Sequence, residues 1–337
     1  MLSNPIGKTK PQKAAAHAQA PAQAQARAAG SKVKALRNHT VLSRIGSKSR
    51  WIGLIYRIFV YVILIDLAFV FLYPFIYMMT TSLKQPVDLM NFTIKWIPTS
   101  LAWENFYYGM KGLQFLTHFN NSALIAVLSV VGQVLSCSFI AYGFARIKFP
   151  GREVLFVLCM FTMIIPPQTI IVPLFMQYKT MGWLDSVLPL IVPSFFGNGL
   201  RGALFIFIFR QLFRGLPWEL EDAARVDGCG SFRVYWKIIM PLTPPAIVVT
   251  TLLSLVWHWN DFFEPSIYLT SEEKFTLPMM LPRLYQSLDT LTGSTFEVFS
   301  LPVVMAATFF ALFPMLLVYL FLQRYFIQGV ERSGLVE

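Results

Sequence analysis

The residues best able to hold a metal or attack a substrate are four histidines, His17, His39, His118 and His258, and three cysteines, Cys137, Cys159 and Cys229. Their spacing argues against both roles. No HxxH or HxxxH pair occurs and no acidic pair joins a histidine, so no metal site is expected. The phosphate-cradling GxxxxGK[ST] loop and the GxSxG nucleophile elbow are absent from the sequence, so no catalytic residue and no cofactor-binding residue is expected either. Cys137 and Cys159 fall inside apolar runs and Cys229 in a charged segment, which predicts three free thiols rather than a disulfide framework. What remains is the chemistry of charge. It is concentrated in one stretch, ELEDAARVDGCGSFRVYWKIIMPLTPPA, Glu219 to Ala246, set between two long apolar runs.

That stretch reads as two short helices. Pro217 suits a first helical turn, where its missing N–H is not needed, and Glu219, Glu221 and Asp222 bring negative charge to the positive end of the helix dipole. Glu221 and Arg225 form an i,i+4 pair in the favoured order. Gly228 can take the left-handed backbone that ends the helix after Asp227. Ser231 is expected to cap a second helix, FRVYWKIIM, closed by Pro241, Pro244 and Pro245. Leu220, Ala223, Ala224 and Asp227 share one face, and the small alanines would let another surface come close.

The elements around it belong in a bilayer. Apolar residues make up 55% of the 337 and charged residues 13%, outside the range of soluble domains. Windows of about 20 apolar residues, enough to cross a hydrocarbon core of roughly 30 Å, predict six spans: Ile58–Thr80, Ser122–Phe144, Val154–Met176, Ser186–Phe209, Ala246–Leu269 and Leu301–Leu322. The fourth is interrupted by SFFGNGLRG, which predicts a broken helix. The expected fold is therefore all-α and polytopic.

The net charge of +11 is a property of the tail. Residues 1–50 hold ten Lys/Arg and no Asp or Glu, leaving 18 basic against 17 acidic residues elsewhere. The tail is rich in Ala and Gln, lacks the large apolar residues of a packed fold and contains no apolar stretch of a secretory signal, so it is expected to stay on as a low-complexity segment next to a transmembrane domain of residues 51–337. With no aromatic residue before Trp51, no nucleic-acid partner is expected. Arg146, Lys148, Arg152, Arg214, Arg225, Arg233, Lys237 and Arg324 collect in the loops on the tail's side of the membrane, so both termini and the Glu219–Ala246 stretch are expected to face the cytoplasm.

Asp222-Ala223-Ala224, Gly228, Ile238 and Pro241 resemble the EAA loop of ABC importer permeases: Glu-Ala-Ala, three residues, Gly, nine residues, then Ile-x-Leu-Pro. Asp222 replaces the usual Glu and Met240 the usual Leu. The resemblance continues through YPFIYMMTTSLK, FNNSALIA, AYGFARIKFPGR, MIIPPQTIIVPLF, RQLFRGLPWELEDAA and SLVWHWNDFFEPSIYL, and is to the carbohydrate-uptake branch, similar to the maltose-system G component. It implies the type I importer permease fold with six transmembrane helices and a coupling helix at about residues 217–241. It also implies a non-catalytic subunit of the bacterial cytoplasmic (inner) membrane, paired with a second homologous permease, two ATPase subunits that hold ATP and Mg, and an extracytoplasmic solute-binding protein delivering a sugar or oligosaccharide, acidic ones included. Glu221, Asp222, Ala223, Ala224, Asp227 and Gly228 are assigned to ATPase coupling; a solvated amphipathic loop without a partner is the plain alternative. The outward loop Thr270–Ser300 would reach the binding protein and the C-terminal QGVERSGLVE the ATPases.

For the substrate path, Asp66, Gln168, Trp257, Asn260 and Asp261 stand out by their chemistry and their positions in the spans, and the resemblance adds that Trp-Asn-Asp belongs to the family pattern. Asp66, about eight residues or roughly 12 Å into the first span, either lines the cavity or bonds a neighbouring helix. Trp257, Asn260 and Asp261, beside Trp259, offer either an aromatic and polar surface for sugar or a packing and gating cluster. Pro166 and Pro167 predict a kink beside Gln168. Two rival classes stay open: an ABC permease for a non-sugar solute, and an ion-coupled secondary transporter, for which ionisable residues in several spans or an internal repeat would be expected.

Overall fold

A computed structural model describes residues 53–91, 96–198, 201–292 and 301–334. Among them every regular element is helical. The chain divides into two compact units, residues 1–74 and 75–337; the described part of the first, residues 53–74, is the beginning of helix α1 (Gly53–Ser82). Then follow α2 (Pro86–Met90), α3 (Glu104–Gly112), α4 (Phe115–Arg146), α5 (Arg152–Thr162), α6 (Pro167–Thr180), α7 (Leu188–Ile191), α8 (Gly202–Gly215), α9 (Glu219–Val226), α10 (Ser231–Val234), α11 (Pro244–Asn260), α12 (Phe263–Tyr268), α13 (Leu277–Met280), α14 (Leu284–Thr292) and α15 (Leu301–Gly334).

α4 is the central helix of the second unit. Its buried stripe, Ser122, Ala126, Ser129, Gln133, Cys137, Ala141 and Ala145, repeats every three or four residues and is almost entirely small. Small residues let other helices come close where lipid offers no competing hydrophobic drive. α8 and α11 pack along α4, α11 also packs on α15, and α15 on α3. The last seam is tightest at Gly109, where a Cβ would stand 3.0 Å from the backbone nitrogen of Ala307 and 3.2 Å from the carbonyl oxygen of Val303. One apolar core gathers Leu113, Trp259, Tyr268, Phe275, Leu277 and Met280; a second gathers Tyr142, Phe205, Phe209, Phe213, Tyr235 and Ile239.

Three of the six predicted spans are single helices long and apolar enough to cross a membrane: α1, α4 and α15. The other three are broken. Pro166, extended at ψ 134°, and Pro167 end the α5 path and restart it as α6 at 96°, a much sharper turn than a kink. Prolines lack the N–H a continuing helix needs and push the preceding residue out of the helical region, which is why the break is complete. The segment Ser231–Leu242 meets α11 at 80° across Thr243, and α11 itself stops at Asn260 because Asp261 is extended (φ −69°, ψ 121°) before α12.

The predicted break in the fourth span is present. α7 passes into a 3-10 turn, Val192–Phe196, and α8 begins at Gly202. Backbone groups freed by such a break have no water to turn to in a bilayer and need protein partners. α4 supplies them: Ser129 Oγ donates to the Leu190 carbonyl at 3.1 Å, and Ser136 Oγ donates to the Ser194 carbonyl at 2.7 Å while accepting from Gly197 N at 3.0 Å. The loops on either side of α7–α12 are tied at Asp185, whose carboxylate accepts from Lys274 Nζ (2.8 Å), Ser271 Oγ (2.6 Å) and the amides of Ser271 and Thr270 (2.8 and 2.9 Å). The Lys274 ammonium, and after it Ser271 and the amide of Thr270, hold the Asp185 carboxyl well below the usual carboxylate range.

Candidate functional site

The segment singled out in the sequence folds as expected at its first helix. α9 spans Glu219–Val226 and ends on Gly228 at φ +79°. Gly228 N donates to the Arg225 carbonyl (3.0 Å) and Cys229 N to that of Ala224 (2.9 Å), the paired bonds of a Schellman stop. The second helix differs. Gly230, not Ser231, occupies its N-cap position, and Ser231 is its first residue with no side-chain cap bond. After Val234 the chain widens into a π-turn, Tyr235–Ile239, then tightens to 3-10 over Met240–Leu242. Pro241 interrupts the regular bonding there, and such widened turns are a common way to absorb the interruption.

The six residues expected to share one docking role divide between two faces. Glu221 and Ala224 are buried, whereas Asp222, Ala223, Asp227 and Gly228 are exposed, together with Leu220 and Val226. Glu221 is turned completely into its own chain. Its Oε1 lies 3.3 Å from Nε of Arg146, the last residue of α4, and both side chains have 0% exposure. Tyr142 Oη donates toward Glu221 Oε2 at 3.5 Å, and the half-exposed Arg225 approaches the same oxygen at 3.6 Å. The Arg146 guanidinium also donates through Nη2 to the carbonyls of Phe213 and Leu216 at the end of α8, and lies 4.3 Å over the Trp218 ring. One cation therefore joins the ends of α4 and α8 to the start of α9. A buried carboxylate of this kind holds the helix in place rather than meeting a partner, because desolvation is tolerable only when the pair stays intact.

The residues expected along the substrate path each have their own setting. Asp66 is exposed on α1, a helix with no buried residue in its most apolar window. Gln168 is exposed in the first turn of α6. Asn260 turns back to donate to the Val256 carbonyl at 2.8 Å. Asp261 Oδ1 accepts from Phe263 N (3.1 Å) and Glu264 N (3.4 Å), the first two amides of α12. Trp259, 5% exposed, donates to the Ala311 carbonyl at 3.0 Å and is a packing residue between α11 and α15. Only Trp257 keeps an unusual setting: it is half-buried, stacked on Phe205 with centroids 5.4 Å apart, and carries the Arg201 guanidinium 4.6 Å over its ring. Residues 1–50, 293–300 and 335–337, which hold the basic tail, the last part of the Thr270–Ser300 segment and the end of QGVERSGLVE, lie outside the described residues. Cys137 is buried, and Cys159 and Cys229 are partly so; all three are free thiols, as expected.

Arg146, Tyr142 and Trp218 were not identified from the sequence as partners of the charged helix. The available signal was AYGFAR, a cation closing an apolar span, which by itself reads as a topology marker.

Comparison with known proteins yields a consistent set. The model of binding-protein-dependent transport system inner membrane components matches residues 134–332. The arabinooligosaccharides transport system permease protein AraQ of Halalkalibacterium halodurans is 30% identical over 272 residues, 80% of this chain and 92% of that protein. The polygalacturonan/rhamnogalacturonan transport system permease protein YtcP of Bacillus subtilis is 28% identical over 276 residues, 80% of this chain and 94% of that protein. Among solved structures, a chain of a bacterial ABC transporter involved in the import of the acidic polysaccharide alginate superposes with a TM-score of 0.70 at 26% identity, covering 81% of this chain and 96% of that one.

Proposed function

Because the chain belongs to the family of binding-protein-dependent transport system inner membrane components, we propose that it is the permease subunit of an ATP-driven importer of sugars or oligosaccharides in a bacterial cytoplasmic membrane. In this reading it crosses the membrane six times, with the α5–α6, α7–α8 and α11–α12 paths as broken spans and both termini cytoplasmic. It pairs with a second permease, receives its solute from an extracytoplasmic binding protein and binds no cofactor; ATP and Mg reside on two ATPase subunits. The acidic saccharides named for the similar alginate importer and for YtcP belong to the candidate substrates.

The observation that carries the reading is the division of α9. Its buried face, Glu221 and Ala224, fixes it to α4 and α8, while Asp222, Ala223, Val226 and Asp227 face outward, with Val226 87% exposed. A helix anchored rigidly on one side and offering small, apolar and acidic groups on the other is suited to receive a partner's motion and pass it inward. Coupling is therefore assigned to Asp222, Ala223, Asp227 and Gly228 at the contact, with Glu221 and Ala224 supporting them from behind.

The test is to tag the chain, extract it gently from membranes and identify what accompanies it by mass spectrometry. A second permease and an ATPase should be recovered together. Recovery of this chain alone, still transporting, would replace the importer with an ion-coupled carrier.

A further inference from the structure

Arg201 is an exposed cation within a predicted membrane span, at the start of α8 and in the left-handed backbone region (φ 58°). The 14 residues of α8 carry the chain about 21 Å from Gly215, at 1.5 Å per residue. Trp257 lies a similar distance along α11 from Pro244, so in the six-span reading, with Gly215 and Pro244 at one face of the membrane, the two meet inside a hydrocarbon layer of roughly 30 Å. A cation facing lipid at that depth is strongly disfavoured, and such residues generally face a partner or a water-filled path. None of the ion pairs among the described residues involves Arg201.

The position is constructed with some care. Phe205 stacks on Trp257, and Trp257 supports the guanidinium plane. The chain break beside it is fixed to α4 by Ser136, and at Gly202 any Cβ would collide with the Gly197 carbonyl oxygen. A guanidinium lying flat on an aromatic ring keeps its N–H edges free, and that edge matches a carboxylate in two parallel bonds.

We propose that Arg201, oriented by Trp257, is the subsite on the translocation path that recognises the carboxylate of an acidic sugar residue. The inference rests on the saccharide reading given above and narrows it to uronate-containing substrates. Trp257 acts as a positioning residue, and Arg201 supplies the contact.

The experiment uses the whole transporter in lipid nanodiscs and two probes, a radiolabelled oligogalacturonate and its neutral carboxyl-reduced counterpart. Wild type should bind the charged probe at least about tenfold more tightly, the size expected of one charge-assisted contact. Arg201→Gln should remove that preference, Arg201→Lys should retain part of it, and Trp257→Phe should weaken it without changing assembly. Equal binding of both probes by wild type and Arg201→Gln would overturn the subsite while leaving saccharide transport standing. Loss of the partner permease from Arg201→Gln but not from Arg201→Lys would also overturn it, making Arg201 an interface ion pair. A transporter that binds neither probe, and whose ATPase responds to no saccharide-loaded binding protein, would remove the saccharide reading itself.

Discussion

The pair formed by Arg146 and Glu221 can be tested by a double-mutant cycle. Replacing Glu221 by Leu strands a buried guanidinium, and breaking a buried pair from one side costs about 3–5 kcal/mol. Replacing Arg146 by Met strands the carboxylate and also releases the carbonyls of Phe213 and Leu216; an unsatisfied buried acceptor costs about 1–3 kcal/mol. Arg146→Met should therefore be the worse single change. The double variant removes both charges, and because the Phe213 carbonyl still accepts from the Leu216 amide at 3.3 Å only one released acceptor remains, so it should fall about 1–3 kcal/mol short of wild type. With about 2–4 °C of melting temperature per kcal/mol in domains of 150–250 residues, Glu221→Leu should melt roughly 6–20 °C low. The readout is a thiol-reactive fluorogenic dye in detergent, since Cys137 is free and buried and reports opening of the core around α4. A Glu221→Leu protein melting within about 2 °C of wild type, or a double variant whose loss equals the sum of the singles, would refute the claim that this pair holds α9 in place.

Other expectations follow from single contacts. Asp222→Lys and Ala223→Trp, both on the exposed face of α9, should leave the melting temperature within a few degrees of wild type yet prevent ATPase co-purification; retained ATPase would remove that face from the contact. Gly109→Val should lower thermal stability by about 1–3 kcal/mol because its side chain meets unyielding backbone of α15, whereas Gly143→Ala, which meets nothing within 4 Å, should gain about 0.5–1 kcal/mol. Asp185 has its folded-state titration depressed below the ordinary 3.8. It therefore contributes stability that is fully present above that value and is lost as pH falls through the depressed one. Intrinsic-rate-corrected amide exchange at Thr270 and Ser271 should accelerate in strong acid, and Asp185→Asn should show the faster exchange already at neutral pH.

Legibility in the sequence followed the range of the interaction. α9 and its glycine stop were readable because charge order, the glycine and the helix all lie within a few residues of one another. The face presented by Glu221 was not, since its partner Arg146 lies on α4 and nothing in ELEDAARVDG points there. Apolar windows located the three long helices α1, α4 and α15 but could not distinguish a straight helix from a folded one elsewhere. Pro166-Pro167 and Asp261 decide that, and their effect depends on what receives the freed backbone groups. The aromatic residues near Asn260 show the same limit: Trp257 and Trp259 look alike in sequence, yet one packs against Ala311 and the other supports a cation.

The serines of α4 also bear on the order of assembly. The chain from Leu188 to Gly197 satisfies its freed backbone groups on Ser129 and Ser136, so within a bilayer it has no comparable place to settle until α4 is there. Synthesis from the N-terminus delivers α4 first, and the ribosome's direction thus supplies the template before the segment that needs it. A circular permutant that made α7 and α8 before α4 should keep every contact of the finished protein and still be degraded more readily during its production.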